Sequence, residues 1–208
     1  KSAIDFESAF AGVRKTVDAS EEEFAALEQG IRDMTKEIPA AATEIAGVAE
    51  AAGQLGIAVP HILSFTRTMT DLGVATNLTA EEAAINLARF ANIVQMPQDQ
   101  FDRLGAAVVA LGNNLATTEA EIVEMGLRLA GAGAQIGLAE AEIMALAGAL
   151  SSVGIRAEAG GSAFSKLMMQ MQLASEIGPR ANEIIAQTGR SLRDLEILSN
   201  ENAQGFKE

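Results

Sequence analysis

The segment IAVPHILSFTRTMTDLG, Ile57 to Gly73, decides the fold, because it returns as MPQDQFDRLGAAVVALG, Met96 to Gly112, at a spacing of 39 residues. Ile57, Ile62, Phe65, Met69, Leu72 and Gly73 fall on Met96, Phe101, Leu104, Val108, Leu111 and Gly112. Within each copy the apolar residues recur three or four positions apart, the period of one helix face. Upstream, Val48, Ala51, Ala52 and Leu55 fall on Leu87, Phe90, Ala91 and Val94, a second apolar face in each copy. Two helical faces per unit predict a helical hairpin, repeated.

A third copy follows. Thr118 to Glu121 repeats the capping pattern of Thr79 to Glu82, in which a hydroxyl and a carboxylate three residues apart satisfy the open end of a helix. After an insertion of about three residues, Ile143, Leu146, Leu150, Val153 and Gly154 fall into step with Phe101, Leu104, Val108, Leu111 and Gly112. Gly73, Gly112 and Gly154 each follow a last apolar position, where a left-handed helix cap costs least without a side chain. The expectation is one hairpin per copy, closed by glycine.

Outward from the repeat, Phe6, Phe10, Val13 and Val17, then Phe24, Leu27, Ile31, Met34 and Ile38, mark two more helices. Ser20 and Glu23 between them form another capping box. Residues 5–38 are thus expected as an N-terminal antiparallel hairpin and residues 39–173 as the repeat core. The core ends in a Met-rich stripe, Phe164, Leu167, Met168 and Met171, which follows Glu158 to Ser162. Gly178-Pro179 then breaks the chain, and residues 174–208 read as short helices with stops at Gly189 and Asn200. The fold class is all-α: consecutive antiparallel hairpins forming a bundle or a short irregular α-solenoid.

Composition narrows the function. Of 208 residues 49% are hydrophobic but only 4% aromatic, so the core must be aliphatic and closely packed. The absence of cysteine removes disulfides, thiolate metal sites and thiol nucleophiles. A net charge of -13 repels nucleic acid and anionic lipid. No apolar run reaches the length of a membrane span. The chain opens on Lys1 without a secretory-signal pattern and reads as an internal piece of a longer protein.

Chemistry is sparse. His61, the one histidine, stands beside Pro60 where a helix starts, and the carboxylates fall at helix starts and on solvent faces, with no pair placed in a shared apolar cleft. Gly131 and Gly133 form a G-x-G, but no strand precedes them and no Gly-Lys-Ser/Thr follows, so a phosphate loop is not expected. Glu7-Ser8-Ala9-Phe10 resembles the surroundings of the catalytic acid in lytic transglycosylases, without the glycine-rich segment those enzymes carry downstream. No catalytic residue, cofactor or metal is assigned.

The stretches LGNNLATTEAEIVEMGLRLAGAG, Leu111 to Gly133, QIGLAEAEIMALAGALSSVGI, Gln135 to Ile155, and EAGG, Glu158 to Gly161, resemble the core region of phage tail tape measure proteins. DFESAFAGVRKTV, Asp5 to Val17, and ASEEEFAALEQGIRDM, Ala19 to Met34, resemble the opening of the same region in the same order. The resemblance covers residues 5–173. It implies a structural, non-enzymatic protein that occupies the tail tube of the virion, is assembled in the host bacterial cytoplasm and sets tail length. It also implies tail tube protein, tail assembly chaperones and tail tip proteins as partners, with self-association as a further expectation. The rival reading is an α-helical repeat adaptor, and a distant third is a cell-wall lytic enzyme. Because the resemblance is densest there, Asn113, Asn114, Thr117 and Thr118 with Gly131 and Gly133 are the candidate partner contacts.

Overall fold

Each capping box named above starts a helix. In the computed structural model, which describes residues 2–167, the backbone N–H of Ser20, Thr79 and Thr118 donates to the carboxylate of Glu23, Glu82 and Glu121 at 2.8, 3.0 and 3.2 Å. The hydroxyls of the same three residues accept from the backbone N–H of those glutamates. These caps open α2 (Glu21–Glu37), α5 (Ala80–Val94) and α7 (Glu119–Gln135). The other elements are α1 (Ser2–Thr16), α3 (Ala42–Gln54), α4 (Val59–Ala75), a 3-10 turn (Gln98–Gln100), α6 (Phe101–Asn114) and α8 (Glu140–Ser152). A further helix, α9, is described over residues 157–167. Among the described residues there is no strand, and the all-α class stands.

Residues 1–164 form one compact unit, and Ser165 begins a second. Met168, Met171, Gly178-Pro179, Gly189, Asn200 and the whole of residues 174–208 lie outside the described residues.

Packing follows chain order in two rows. α1, α3, α5 and α7 lie side by side, as do α2, α4, α6 and α8, and hairpin neighbours such as α3 and α4 or α7 and α8 join the rows. Helices within a row run in the same direction: Gly12 faces the Glu50 side chain while Gly53 faces Thr16, which sets α1 along α3. This is the short α-solenoid, in which each helix meets only its near neighbours in sequence. The core runs as one seam between the rows, through Ile31, Ile45, Ile62, Phe65, Leu87, Phe90, Ile122, Leu129 and Ile143, all essentially without exposure.

The N-terminal pair behaves differently from the repeats. α1 and α2 meet antiparallel through long side chains, with Phe10 edge-to-face on Phe24, Arg32 over the Phe6 ring at 4.1 Å and Arg14 paired with Glu21 at 2.8 Å. The close backbone approach of α1 is to α3, where glycine and small side chains permit it.

The glycine punctuation needs correction at two of three positions. Gly154 is left-handed at φ 79, as expected, but Gly73 and Gly112 lie inside α4 and α6. The left-handed caps sit instead at Gly56, Gln95 and Gly137, at the ends of α3, α5 and α7. In each the following N–H reaches back to the helix, Ile57 to Ala52, Met96 to Ala91 and Leu138 to Gly133, the Schellman pattern. Gly73 serves close approach: a Cβ there would stand 2.8 Å from the Ala80 backbone nitrogen. α4 runs on to Ala75, and Thr76, extended at φ -132, closes it by donating its hydroxyl to Leu72 O at 2.7 Å.

Candidate partner-binding surface

The residues singled out from the sequence fall in two places. Asn113 and Asn114 end α6, and Thr117 and Thr118 form the turn into α7. The Asn114 side chain donates to Ala110 O at 2.7 Å, closing the helix end, while Asn113 is exposed. Thr118 is the cap of α7. Thr117 is half-buried: its hydroxyl donates to Glu121 at 3.0 Å and accepts from Ser151 on α8. Two N–H and O–H donors, the Thr118 backbone first and the Thr117 hydroxyl second, hold the Glu121 carboxyl below its ordinary value. This turn is a hydrogen-bonded knot tying α6, α7 and α8 together.

Gly131 and Gly133 do not join that knot. They lie in the last turns of α7, roughly 20 Å along the helix from Thr118 at 1.5 Å per residue. Gly131 is exposed, with nothing within 4 Å of where a Cβ would stand. Gly133 is buried against Ile143 of α8, its hypothetical Cβ 2.7 Å from Cγ1. One glycine faces solvent and the other lets two helices touch.

The rest of the surface offers caps and ion pairs. His61 occupies the first turn of α4 behind Pro60. Glu7 is exposed on α1, beside a hollow bordered by Phe6, Phe10, Arg14 and Glu28. A shallow cleft next to the α6–α7 turn is lined by Glu121, Glu124, Ser151, Arg156 and Glu158. Among the described residues no three His, Asp or Glu side chains converge as a metal site would require, and no helix is long and apolar enough to cross a membrane.

Two loop residues that the sequence reading missed link separate hairpins. Gln98 accepts from Ala58 N at 2.8 Å and donates to Gly56 O at 3.0 Å. Asn77 accepts from Ala120 N at 3.1 Å. Their signal was an amide side chain at a loop position, which by itself names no partner 40 residues away.

Over 185 residues the chain is 26% identical to a probable tape measure protein of Halomonas phage phiHAP-1, a match covering 82% of this chain and 21% of that protein. The chain therefore spans about a fifth of the length of this curated relative. No solved structure matches it. The family described as phage-related minor tail protein matches residues 28–207, which takes the likeness beyond residue 173. The chain, stacked helical hairpins over its described residues, thus belongs to the phage-related minor tail proteins.

Proposed function

We propose that this chain is a segment of a tail tape measure protein, and that it contributes to tail length through its residue count. The observation that carries the reading is the two-row stacking, in which each hairpin meets only its neighbours. A chain built this way can be lengthened by whole hairpins without rebuilding a core, and can open one hairpin at a time. Extended as continuous helix, 208 residues advance roughly 310 Å at 1.5 Å each. The tail tube protein lines the path, and assembly chaperones and tip proteins hold the chain before and at its end. Within the segment, residues 5–38 act as the lead hairpin and 39–173 as the repeat core, and the α6–α7 turn with Asn113 and Asn114 is the partner contact. Host cytoplasm is the site of assembly.

Duplicating the segment in frame in the parent gene of a producing phage tests this. Tails longer by roughly 310 Å support the ruler reading. Tails of unchanged length place the segment outside the measured path.

A second reading has the same stacking in its favour. As a repeat adaptor the rows would present a partner-binding face, and the chain would bind a tail protein in its compact form. Pull-down of tail proteins by the folded chain, lost on Asn113→Ala/Asn114→Ala, supports the adaptor.

A further inference from the structure

The loops at the α3–α4, α5–α6 and α7–α8 ends are equivalent residue by residue. Each has a left-handed residue (Gly56, Gln95, Gly137), an apolar residue (Ile57, Met96, Leu138), an extended residue (Ala58, Pro97, Ala139) and then the start of the next element (Val59, Gln98, Glu140). The extended residues share one backbone conformation: φ/ψ is -66/145 at Ala58, -59/139 at Pro97 and -69/156 at Ala139. Between the first two loops Gln98 makes a two-sided staple, accepting from Ala58 N and donating to Gly56 O. Asn92 adds a longer bond to Leu55 O at 3.4 Å.

The equivalent staple between the second and third loops is chemically impossible. Its acceptor bond would need an N–H at Pro97, which has none. Its donor bond to Gln95 O would need an amide where Glu140 offers a carboxylate, which only accepts. Beside the missing staple a small groove lies between the starts of α6 and α8, lined by Met96, Arg103, Leu104, Ala107, Glu140 and Met144. The far end of α8 is held instead. A Cβ at Gly148 would stand 2.7 Å from Leu115 Cδ1 and 3.6 Å from Leu111 Cδ2, and Ser151 is bonded to Thr117. The insertion recognised in the sequence falls between Thr118 and Gly137, in α7 and its end, which lead into this junction: the caps Thr79 and Thr118 are 39 apart, the left-handed residues Gln95 and Gly137 are 42 apart.

We propose that this is a built-in seam. The α7–α8 hairpin parts from α6, and α7 with it from α5, at its loop end, pivoting on the α6–α7 turn, while the stapled α3–α5 part stays closed. The device goes beyond the tail-length reading and does not depend on it, because it follows from which loop atoms can donate and accept. In a repeat array whose units meet only their neighbours, such a seam fixes the end from which opening starts.

The chain has no cysteine, so single thiols report opening cleanly. Met144 and Met69 are both completely buried, the first beside the groove and the second in α4. In the folded 208-residue chain, the thiol introduced by Met144→Cys should react with a maleimide or disulfide reagent at least about tenfold faster than that from Met69→Cys, the size of one or two missing hydrogen bonds. Adding Pro97→Ala with Glu140→Gln restores both staple atoms and should slow the Met144→Cys reaction by about tenfold, leaving Met69→Cys unchanged. Equal rates at the two positions would overturn the seam. Fast reaction at position 144 that the restored staple does not slow would overturn its assigned cause.

Discussion

Phe65 of α4 and Phe101 of α6 meet edge to face with ring centroids 4.7 Å apart, one hairpin handing its core to the next. The two rings are not equivalent within the repeat, because Phe101 aligns with Ile62 and Phe65 with Leu104. The contact therefore belongs to the junction between copies. Phe101, nearly fully buried, also starts α6 directly after the 3-10 turn. Phe101→Ala should destabilise the chain by about 3–5 kcal/mol, a lost ring plus a cavity. Urea unfolding followed by circular dichroism checks it, and a loss below about 1 kcal/mol would mean that the junction carries little of the core.

The two glycines of the G-x-G in α7 should respond in opposite directions. Gly131 has open space where a Cβ would stand, so Gly131→Ala removes backbone freedom from the unfolded chain and raises stability by about 0.5–1 kcal/mol. At Gly133 the added methyl would lie 2.7 Å from Ile143 Cγ1. Gly133→Ala should therefore destabilise by about 1–3 kcal/mol as α7 and α8 are pushed apart. Melting temperatures of the two variants side by side decide the matter.

Low pH should weaken the helix starts. The Thr79 backbone N–H, and then its hydroxyl, hold the Glu82 carboxyl below its ordinary value, and Ser20 does the same for Glu23. A carboxyl lowered in the folded state contributes its full stability above the unfolded value, about 4.3, and loses it as pH falls through the lower folded value. The melting temperature should thus fall from pH 5 toward pH 3. Thr79→Ala should lower it at pH 7, and its deficit should narrow in acid, where Glu82 is protonated in both proteins. A deficit independent of pH would show that the hydroxyl acts without the carboxylate.

Gln98 is expected to matter more than its half-exposed loop position suggests. Gln98→Ala removes two bonds to the preceding loop and leaves Ala58 N and Gly56 O to water, at a cost of about 1–2 kcal/mol. Gln100→Ala, two residues on, serves as the control and should stay within about 0.5 kcal/mol.

Much of this fold was legible because helices are local. Ser20, Thr79 and Thr118 find their glutamates three residues away, and an amphipathic face announces itself within one helix, so starts, faces and the repeat were all readable. How the candidate contacts lie relative to one another was not legible. Of the candidate contacts, Asn113, Asn114, Thr117 and Thr118 share the α6–α7 turn because they are neighbours in sequence, whereas Gly131 and Gly133 lie at the other end of α7 and face opposite ways.

The sequence alone determined that the described residues are helical, where the capped helices begin, and that hairpins recur with one insertion, since each of these is decided by contacts within a few residues. Tertiary structure decided which glycines are caps and which are contact points. Gly73 looked like a stop and is a close approach, while Gln95 adopts the left-handed cap with no glycine to announce it. It also decided that the hairpins stack in two rows, and that Gln98 ties the first two loops while Pro97 and Glu140 leave the next junction untied. Those outcomes depend on groups brought together across some 40 residues of chain, and no local pattern encodes which of them will meet.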